Sequence, residues 1–415
     1  MAAFRDVRMT GFASRTLVQV ALNWIDAHAN PLGSEAVPLA DCAGRILAAD
    51  VIAPMSVPEF ARSAMDGYAV RAADTTGAGD YNPLGLRLLG EAFPGRAYEG
   101  EVLPGTAVRI MTGAPLPQGA DAVVPVEVAR EVEQQVEVLA PVPTGKHVGT
   151  PGEDVQVGQL LLRQGRRLRP QDVAILASVG LPQATVVRKP AVLILATGNE
   201  LVAPGEVRQP YQIYDANSSM LRGLIDRDGG RVTAARMLPD GRDILREALV
   251  SAQADMILIS GGSSVGAEDH APGLVRELGE LSIHGLAMRP SSPAGMGRIG
   301  SALVFLLPGN PVSCLCAYDF FAGRALRLQG GRSPQWPYPA ISAPLDRKLV
   351  SAIGRLDYAR VRIENGRVEP LALSGASVLS STVRADGFVV IPEEVEGYAA
   401  GTEVTVFLYD AVGVK

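Results

Sequence analysis

The chain has only three cysteines, Cys42, Cys314 and Cys316. That is no even-numbered disulfide framework, and the spacing is not that of a paired-cysteine zinc site. Cys314 and Cys316 fall in an apolar helical pattern and read as buried thiols. No run of about 18 apolar residues occurs, which excludes a helical membrane span. The opening MAAFRDVRMTGF lacks an apolar signal core, so a cytoplasmic protein is expected. Positive charge is not in excess either. The 38 Lys and Arg face 44 Asp and Glu, and a net charge of -6 leaves no electrostatic footprint for nucleic acid. Any anion this protein binds must therefore be held by local groups.

What the chain does have is glycine and proline. Its 45 Gly and 30 Pro point to many turns and short strands, and 415 residues suffice for two to four domains. The centre of the reading is Asp255 to Asp269. Met256 to Ile259 are four consecutive apolar residues, the pattern of a strand buried on both faces of a parallel sheet. Gly261, Gly262, Ser264 and Gly266 follow, then Glu268 and Asp269, then an apolar-periodic helix carrying Leu274, Val275 and Leu278. In open α/β sheets ligands sit outside the carboxyl ends of strands. A glycine-rich turn with hydroxyls and carboxylates falls there, where a phosphorylated ligand and its metal would bind; a tight turn with helix-capping acids accounts for this stretch equally well.

The neighbouring segments repeat the arrangement. Ala191 to Ala196 ends in Thr197-Gly198-Asn199-Glu200, Arg231 to Met237 in Pro239-Asp240-Gly241, and Leu303 to Leu307 in LPGNPVS with Asn310 and Ser313. Four polar turns at equivalent ends of one sheet favour a site over chance. Ile283 to Met288 reads as a further strand, leading into Arg289-Pro290-Ser291-Ser292-Pro293. Asn217 or Ser218 is expected to cap a helix bearing Leu221, Leu224 and Ile225, and Pro311 to begin one ending near Gly323. Earlier in the chain, Leu17, Val20, Ala21, Trp24 and Ile25 share a helical face. Asp66-Gly67 precedes the strand Tyr68 to Val70, and Thr112 sits in a Pro/Gly loop. Gly152-Glu153-Asp154 opens another loop. The last piece reads as all β, with Asn365-Gly366 as a hairpin turn.

These motifs, in this order, resemble the molybdopterin molybdenumtransferase family, which includes the C-terminal region of gephyrin. The carriers are SAMDGYAV (63–70), MTGAPLPQGADAVV (111–124), GED (152–154), TGNELV (197–202), ISGGSSVGAED (259–269) and LPGNPVS (307–313), and they span nearly the whole chain. The resemblance implies a multi-domain α/β plus β protein. Its parts would be an N-terminal α+β domain (1–51 and 146–188), an inserted β-domain (52–145), a doubly wound α/β molybdopterin-binding domain (189–333) and a C-terminal β-barrel-like domain (334–415). It implies a homodimer that inserts molybdate into adenylylated molybdopterin and releases AMP, with magnesium as cofactor. A molybdopterin adenylyltransferase, a molybdoenzyme or an insertion chaperone would be its partners; neither nucleic acid nor membrane is expected.

Residue by residue, the resemblance makes Glu200, Asp240 and Asp269 the catalytic and metal-binding acids. It makes Thr197, Gly198, Gly261, Gly262, Ser264 and Gly266 substrate-binding, joined by Asp66, Thr112 and Asp154 from the N-terminal half, across the dimer. It makes Arg289, Ser292, Pro293, Ser313, Arg360 and Ser374 the molybdate pocket. Carboxylates at strand ends suit a divalent cation that bridges phosphates. The chain also departs from the family. RPSSP stands where the family reads KPGKP, so one cation survives as Arg289 and the other becomes Ser292; Arg298 is a candidate replacement. Asn199 replaces an aspartate, and Gly149 or Thr150 stands where an arginine is frequent. Two alternatives follow: a catalytically weak paralogue that carries or inserts the cofactor, and an adenylyltransferase sharing the α/β domain.

Overall fold

The computed structural model describes residue 12 and residues 14–262, 269–372 and 375–410. Contacts divide the chain into two units. One comprises Val37–Ala43 and Ala49–Ala184, the other Met1–Ala36, Gly44–Ala48 and Thr185–Lys415.

The larger unit is built on a six-stranded sheet. Its strands are β1 (Ala191–Thr197), β2 (Arg231–Leu238), β3 (Met256–Ser260), β4 (Glu280–His284), β5 (Gly295–Ile299) and β6 (Ala302–Leu307), in the order β2-β1-β3-β6-β5-β4. The first three and β6 run parallel. The apolar runs of β1, β3 and β6 are fully buried because alternate residues feed two cores. Val192, Ile194, Leu258 and Phe305 pack with Leu221, Ile225 and the helical run from Pro311 to Gln329. Leu193, Leu195, Ile259 and Val304 pack with Leu245, Leu249, Leu274 and Val275 on the other face.

Helices flank a mostly parallel sheet, as the sequence predicted, with four differences. The expected strand Ile283 to Met288 is broken: β4 stops at His284, Gly285 turns with φ 89°, and Met288–Arg289 pairs instead with a strand of the C-terminal sheet. The apolar pattern spans that turn and conceals it. β5, with sequence Gly-Met-Gly-Arg-Ile, goes unnoticed because glycine is a poor strand former. It is needed there: a Cβ at Gly297 would lie 2.0 Å from the Glu280 carbonyl oxygen. The helix beginning at Pro311 passes Gly323 through a π turn, Tyr318–Ala322, and ends at Gln329. The first helix, Val18–His28, buries Val18, Ala21 and Ile25 while Leu17 and Val20 are exposed, so its apolar stripe is rotated from the expected one.

The C-terminal sheet orders Met288–Arg289, Leu356–Glu364, Gly387–Ile391, Glu403–Leu408 and Ala340–Pro344, with Arg367–Ala372 beside Leu356–Glu364. Asn365 and Gly366 both take positive φ, as the hairpin signal requires. One short helix, Ser380–Val383, interrupts the expected all-β run. The stretch 332–339 is anchored: Trp336 meets Phe320, Phe388 and Phe407, and Tyr338 donates to the buried Asp319, which also pairs with Arg227.

The smaller unit holds a six-stranded sheet within residues 67–138 and the helix Pro170–Ser178. Asp172 closes that helix's first turn. Hydrogen bonds from the Arg166 and Arg169 side chains hold its carboxyl below the usual carboxylate range. All three cysteines are buried, and burial pushes the Cys314 thiol up to about 12.

Candidate functional site

The parallel register brings four strand ends level: Thr197 faces Leu238, Ala196 faces Ser260, and Ser260 faces Leu307. The turns beyond them form a cavity of about 620 Å³, ample for a nucleotide-sized ligand. Thr197, Gly198, Glu200, Asp240, Gly261, Gly262 and Asp269 all line it. Gly261 is wedged between strands: its N–H donates to the Leu307 carbonyl at 3.2 Å, and a Cβ added to it would meet the Thr197 carbonyl oxygen at 2.4 Å. The Glu200 carboxylate folds over Gly198, where a Cβ would lie 2.6 Å from Glu200 Oε2. Asn199, the departure from the acidic pattern, clamps the next turn: its N–H donates to Asp240 Oδ2 at 3.0 Å and its Oδ1 accepts the Asp240 N–H at 3.1 Å.

Two contributors escaped the sequence reading. The helix begins at Asn217 behind Ala216, and the side chain that caps its first turn is that of Asp215, whose Oδ1 accepts the Ser218 N–H at 3.0 Å; neither Asn217 nor Ser218 plays that part. Asn217 faces the cavity instead and donates from Nδ2 to Ser260 Oγ and to the Gly309 carbonyl, at 2.9 and 2.7 Å. It thereby ties the ends of β3 and β6. Among the described residues, Asn217 Oδ1 and Thr197 Oγ1 are buried without hydrogen-bond partners. Buried polar atoms are normally satisfied, so these two mark a place for a ligand's polar groups.

A second cavity, of about 860 Å³, adjoins the first: Pro293, Pro308 and Asn310 line both. Arg289, Ser292, Pro293 and Ser313 lie on its wall. Ser291 Oγ donates to the Ser313 carbonyl at 2.6 Å and fixes this loop. Arg360 is not among the lining residues. It is fully buried, with Tyr358, Tyr409 and Cys316 nearby, and burial lowers its pKa from the ordinary arginine value. In its place the C-terminal sheet brings Arg355 to the wall, and Arg15 joins from the chain's start. The only sequence signal for Arg355 was a glycine-arginine pair before a strand. Arg298, the candidate replacement, pairs at the surface with Glu280 at 3.3 Å and does not line the cavity.

In the smaller unit, the Asp66 carboxylate accepts the Thr112 N–H at 2.7 Å and its hydroxyl at 2.8 Å, so two distant motifs are joined. The Thr112 backbone bond, then the side-chain bond, hold the Asp66 carboxyl below its ordinary value. Asp154 is exposed beside Glu153, which pairs with Arg62 at 2.9 Å. Arg62 thus supplies a cation to the GED loop, where Gly149 and Thr150 supply none. Ser264, Gly266 and Ser374 lie outside the described residues.

Among the described residues, no three His, Cys, Asp or Glu side chains stand close enough to make a ready-formed metal centre. The donor chemistry nonetheless fits a hard divalent cation: Glu200, Asp240 and Asp269 are all-oxygen donors on one cavity. No helix among the described residues is long and apolar enough to cross a membrane.

Comparison with known proteins adds the following. Residues 16–180 match the MoeA N-terminal region (domain I and II), 193–327 a probable molybdopterin binding domain, and 342–409 the MoeA C-terminal region (domain IV). The chain is 37% identical over 388 residues to molybdopterin molybdenumtransferase 2 of Mycobacterium tuberculosis, covering 89% of this chain and 94% of the relative. It is 34% identical over 401 residues to the molybdopterin molybdenumtransferase of Haemophilus influenzae, covering 94% and 98%. Among solved structures it is similar to the molybdopterin biosynthesis MoeA protein of Pyrococcus horikosii. The TM-score is 0.80 with 34% identity, covering 96% of this chain and all of that one.

Proposed function

The chain belongs to the molybdopterin molybdenumtransferase family, and from that premise we propose that it transfers molybdenum along one groove of its larger unit. Adenylylated molybdopterin binds with its nucleotide and phosphates in the carboxylate-lined cavity, and molybdate occupies the arginine-lined one. The observation that carries this reading is that the two cavities share Pro293, Pro308 and Asn310 in their walls. A substrate spanning that junction sets its phosphoanhydride on the acidic side and its dithiolene towards the oxyanion.

The reaction cleaves the phosphoanhydride by attack of an oxygen nucleophile on the adenylyl phosphorus. AMP leaves carrying the attacking oxygen, and the molybdopterin phosphate is the leaving group; the two dithiolene thiols then bind molybdenum, and their two protons leave with one molybdate oxygen as water. Glu200, Asp240 and Asp269 are the residues that would hold magnesium, which supplies charge neutralisation on the phosphates. Thr197 Oγ1, Asn217 Oδ1 and the backbone of Gly261 and Gly262 orient the nucleotide. The Asn199–Asp240 clamp keeps one carboxylate directed by its turn. Arg289, Ser292, Pro293 and Ser313 receive the oxyanion. The chain works as a homodimer.

The test follows AMP release from adenylylated molybdopterin with magnesium and micromolar molybdate. The wild-type protein releases AMP and yields cofactor, and Asp269→Ala, folded by circular dichroism, does not. Binding of the substrate without AMP release by the wild type would instead make the protein a carrier. Near-normal release by Asp269→Ala would remove that residue from the reaction.

A further inference from the structure

We infer that Arg355 is the second cation of the oxyanion cavity, taking over the charge that a lysine at position 292 would supply. The inference rests on the reading above, that this cavity receives a tetrahedral dianion. The sequence leaves the pocket with one cation, Arg289, and a neutral hydroxyl at Ser292. The fold corrects that deficit through a strand pairing. Met288 and Arg289 pair with Leu356 and Asp357 in parallel register, and the Leu356 N–H donates to the Ala287 carbonyl at 2.9 Å. Arg355, one residue before that pairing, is thereby carried to the same wall as Arg289.

Charge on the cavity runs one way. Arg15, Arg289 and Arg355 line it, and no Asp or Glu does among the described residues. The acid next to them, Asp357, is fully buried. It accepts from the Arg289 guanidinium, accepts the Ser351 hydroxyl at 2.8 Å, and lies 3.3 Å from Arg355 Nε. One buried carboxylate thus fixes two guanidinium groups and offsets one of three positive charges. The remainder matches an anion of charge two. Among the described residues, Arg355 Nε has an ion pair with Asp357 at 3.3 Å but no hydrogen bond, and two further donors on this wall, Arg289 Nε and Ser292 Oγ, are buried without hydrogen-bond partners. A buried donor left unmade is costly, and the oxygens of a tetrahedral oxyanion satisfy both. Guanidinium groups favour such planar recognition of oxyanions.

The experiment compares wild type, Arg355→Gln and Arg355→Lys. Molybdate dependence of AMP release is measured at low and high ionic strength, and equilibrium binding of molybdate alone is measured by calorimetry. Arg355→Gln is expected to raise the half-saturating molybdate concentration about tenfold, equivalent to about 1.4 kcal/mol. The change should fall on half-saturation more than on the rate at saturating molybdate, Arg355→Lys should recover part of it, and added salt should shrink the gap. Arg355→Gln also loosens the hold on Asp357, so its melting temperature is measured alongside. If that variant does not fold, Arg15→Gln carries the test of an arginine-charged cavity, with a smaller shift in the same direction. Coincident molybdate curves for wild type and a folded Arg355→Gln at low salt would overturn the inference. A wild type that binds molybdate through Arg355 without releasing AMP would overturn the transferase reading and leave this one standing.

Discussion

Gly261 is where sequence, packing and site meet, and replacing it by alanine tests all three. Its φ is 91°, a conformation that costs a residue with a Cβ about 1–2 kcal/mol. The added Cβ would lie 2.4 Å from the Thr197 carbonyl oxygen and 3.0 Å from Thr197 Oγ1. The nearer atom is backbone in a central strand, so no side-chain rotation relieves the clash. The residue cannot retreat, because its N–H is bonded to the Leu307 carbonyl on the opposite side. Overpacking of this kind costs about 1–3 kcal/mol, so Gly261→Ala should lose about 2–5 kcal/mol in all. At about 2–4 °C per kcal/mol for a domain of this size, the melting point of the larger unit drops by on the order of 10 °C. AMP release should fall with it, since the turn that carries Gly261 and Gly262 forms the cavity wall. Gly309 in the same cavity is the control. Its φ is not positive, and among the described residues a Cβ there would meet the Cα of Gly261 at 3.6 Å, an ordinary contact. Differential scanning fluorimetry on both variants settles the matter. The reasoning fails if Gly261→Ala melts within about 2 °C of wild type, or if Gly309→Ala is equally damaged.

Two further expectations follow. The folded pKa of Asp172 is depressed by Arg166 and Arg169, so the stability it contributes is present above the ordinary carboxylate value of about 4 and is lost as pH falls through the lower folded value. Asp172→Asn should therefore destabilise the protein at pH 7 and show a shallower loss of stability on acidification; parallel pH profiles for wild type and variant would refute this. The homodimer should appear in light scattering at twice the chain mass, and a monomer at working concentration would exclude it.

Much of the larger unit was legible because its central strands are uninterrupted apolar runs that end in punctuation. Met256 to Ile259 followed by two glycines admits few other readings, and the same holds for β1 and β6. The carboxylates were legible for the same reason: position after a strand fixes position on the sheet edge. What could not be read was pairing between distant segments. Nothing local shows that Arg289 is the strand neighbour of Asp357, so the cavity appeared short of charge. Arg360 and Arg355 lie on the same strand or beside it, and only the fold distinguishes a guanidinium buried near Tyr358 and Tyr409 from one on the cavity wall. Asn217 had a serviceable local explanation as a cap, which Asp215 fills instead. β5 was hidden because its glycines answer to the Glu280 carbonyl on another strand and not to any local preference.

The two-residue strand Met288–Arg289 has a consequence for anyone who would divide this protein. The domain boundary expected between residues 333 and 334 invites a cut there, with the α/β part expressed alone for nucleotide work and the β part treated as an appendage. Such a cut severs a hydrogen-bonded seam: Met288 and Arg289 lose Leu356 and Asp357, and the Arg289 guanidinium loses its carboxylate. The cavity lined by Arg289 and Arg355 is a composite whose two halves are inherited from different segments of the gene. A shuffled chimera must therefore exchange residues 287–293 and 351–357 together. Swapping either alone joins a guanidinium to a partner sheet that was never matched to it.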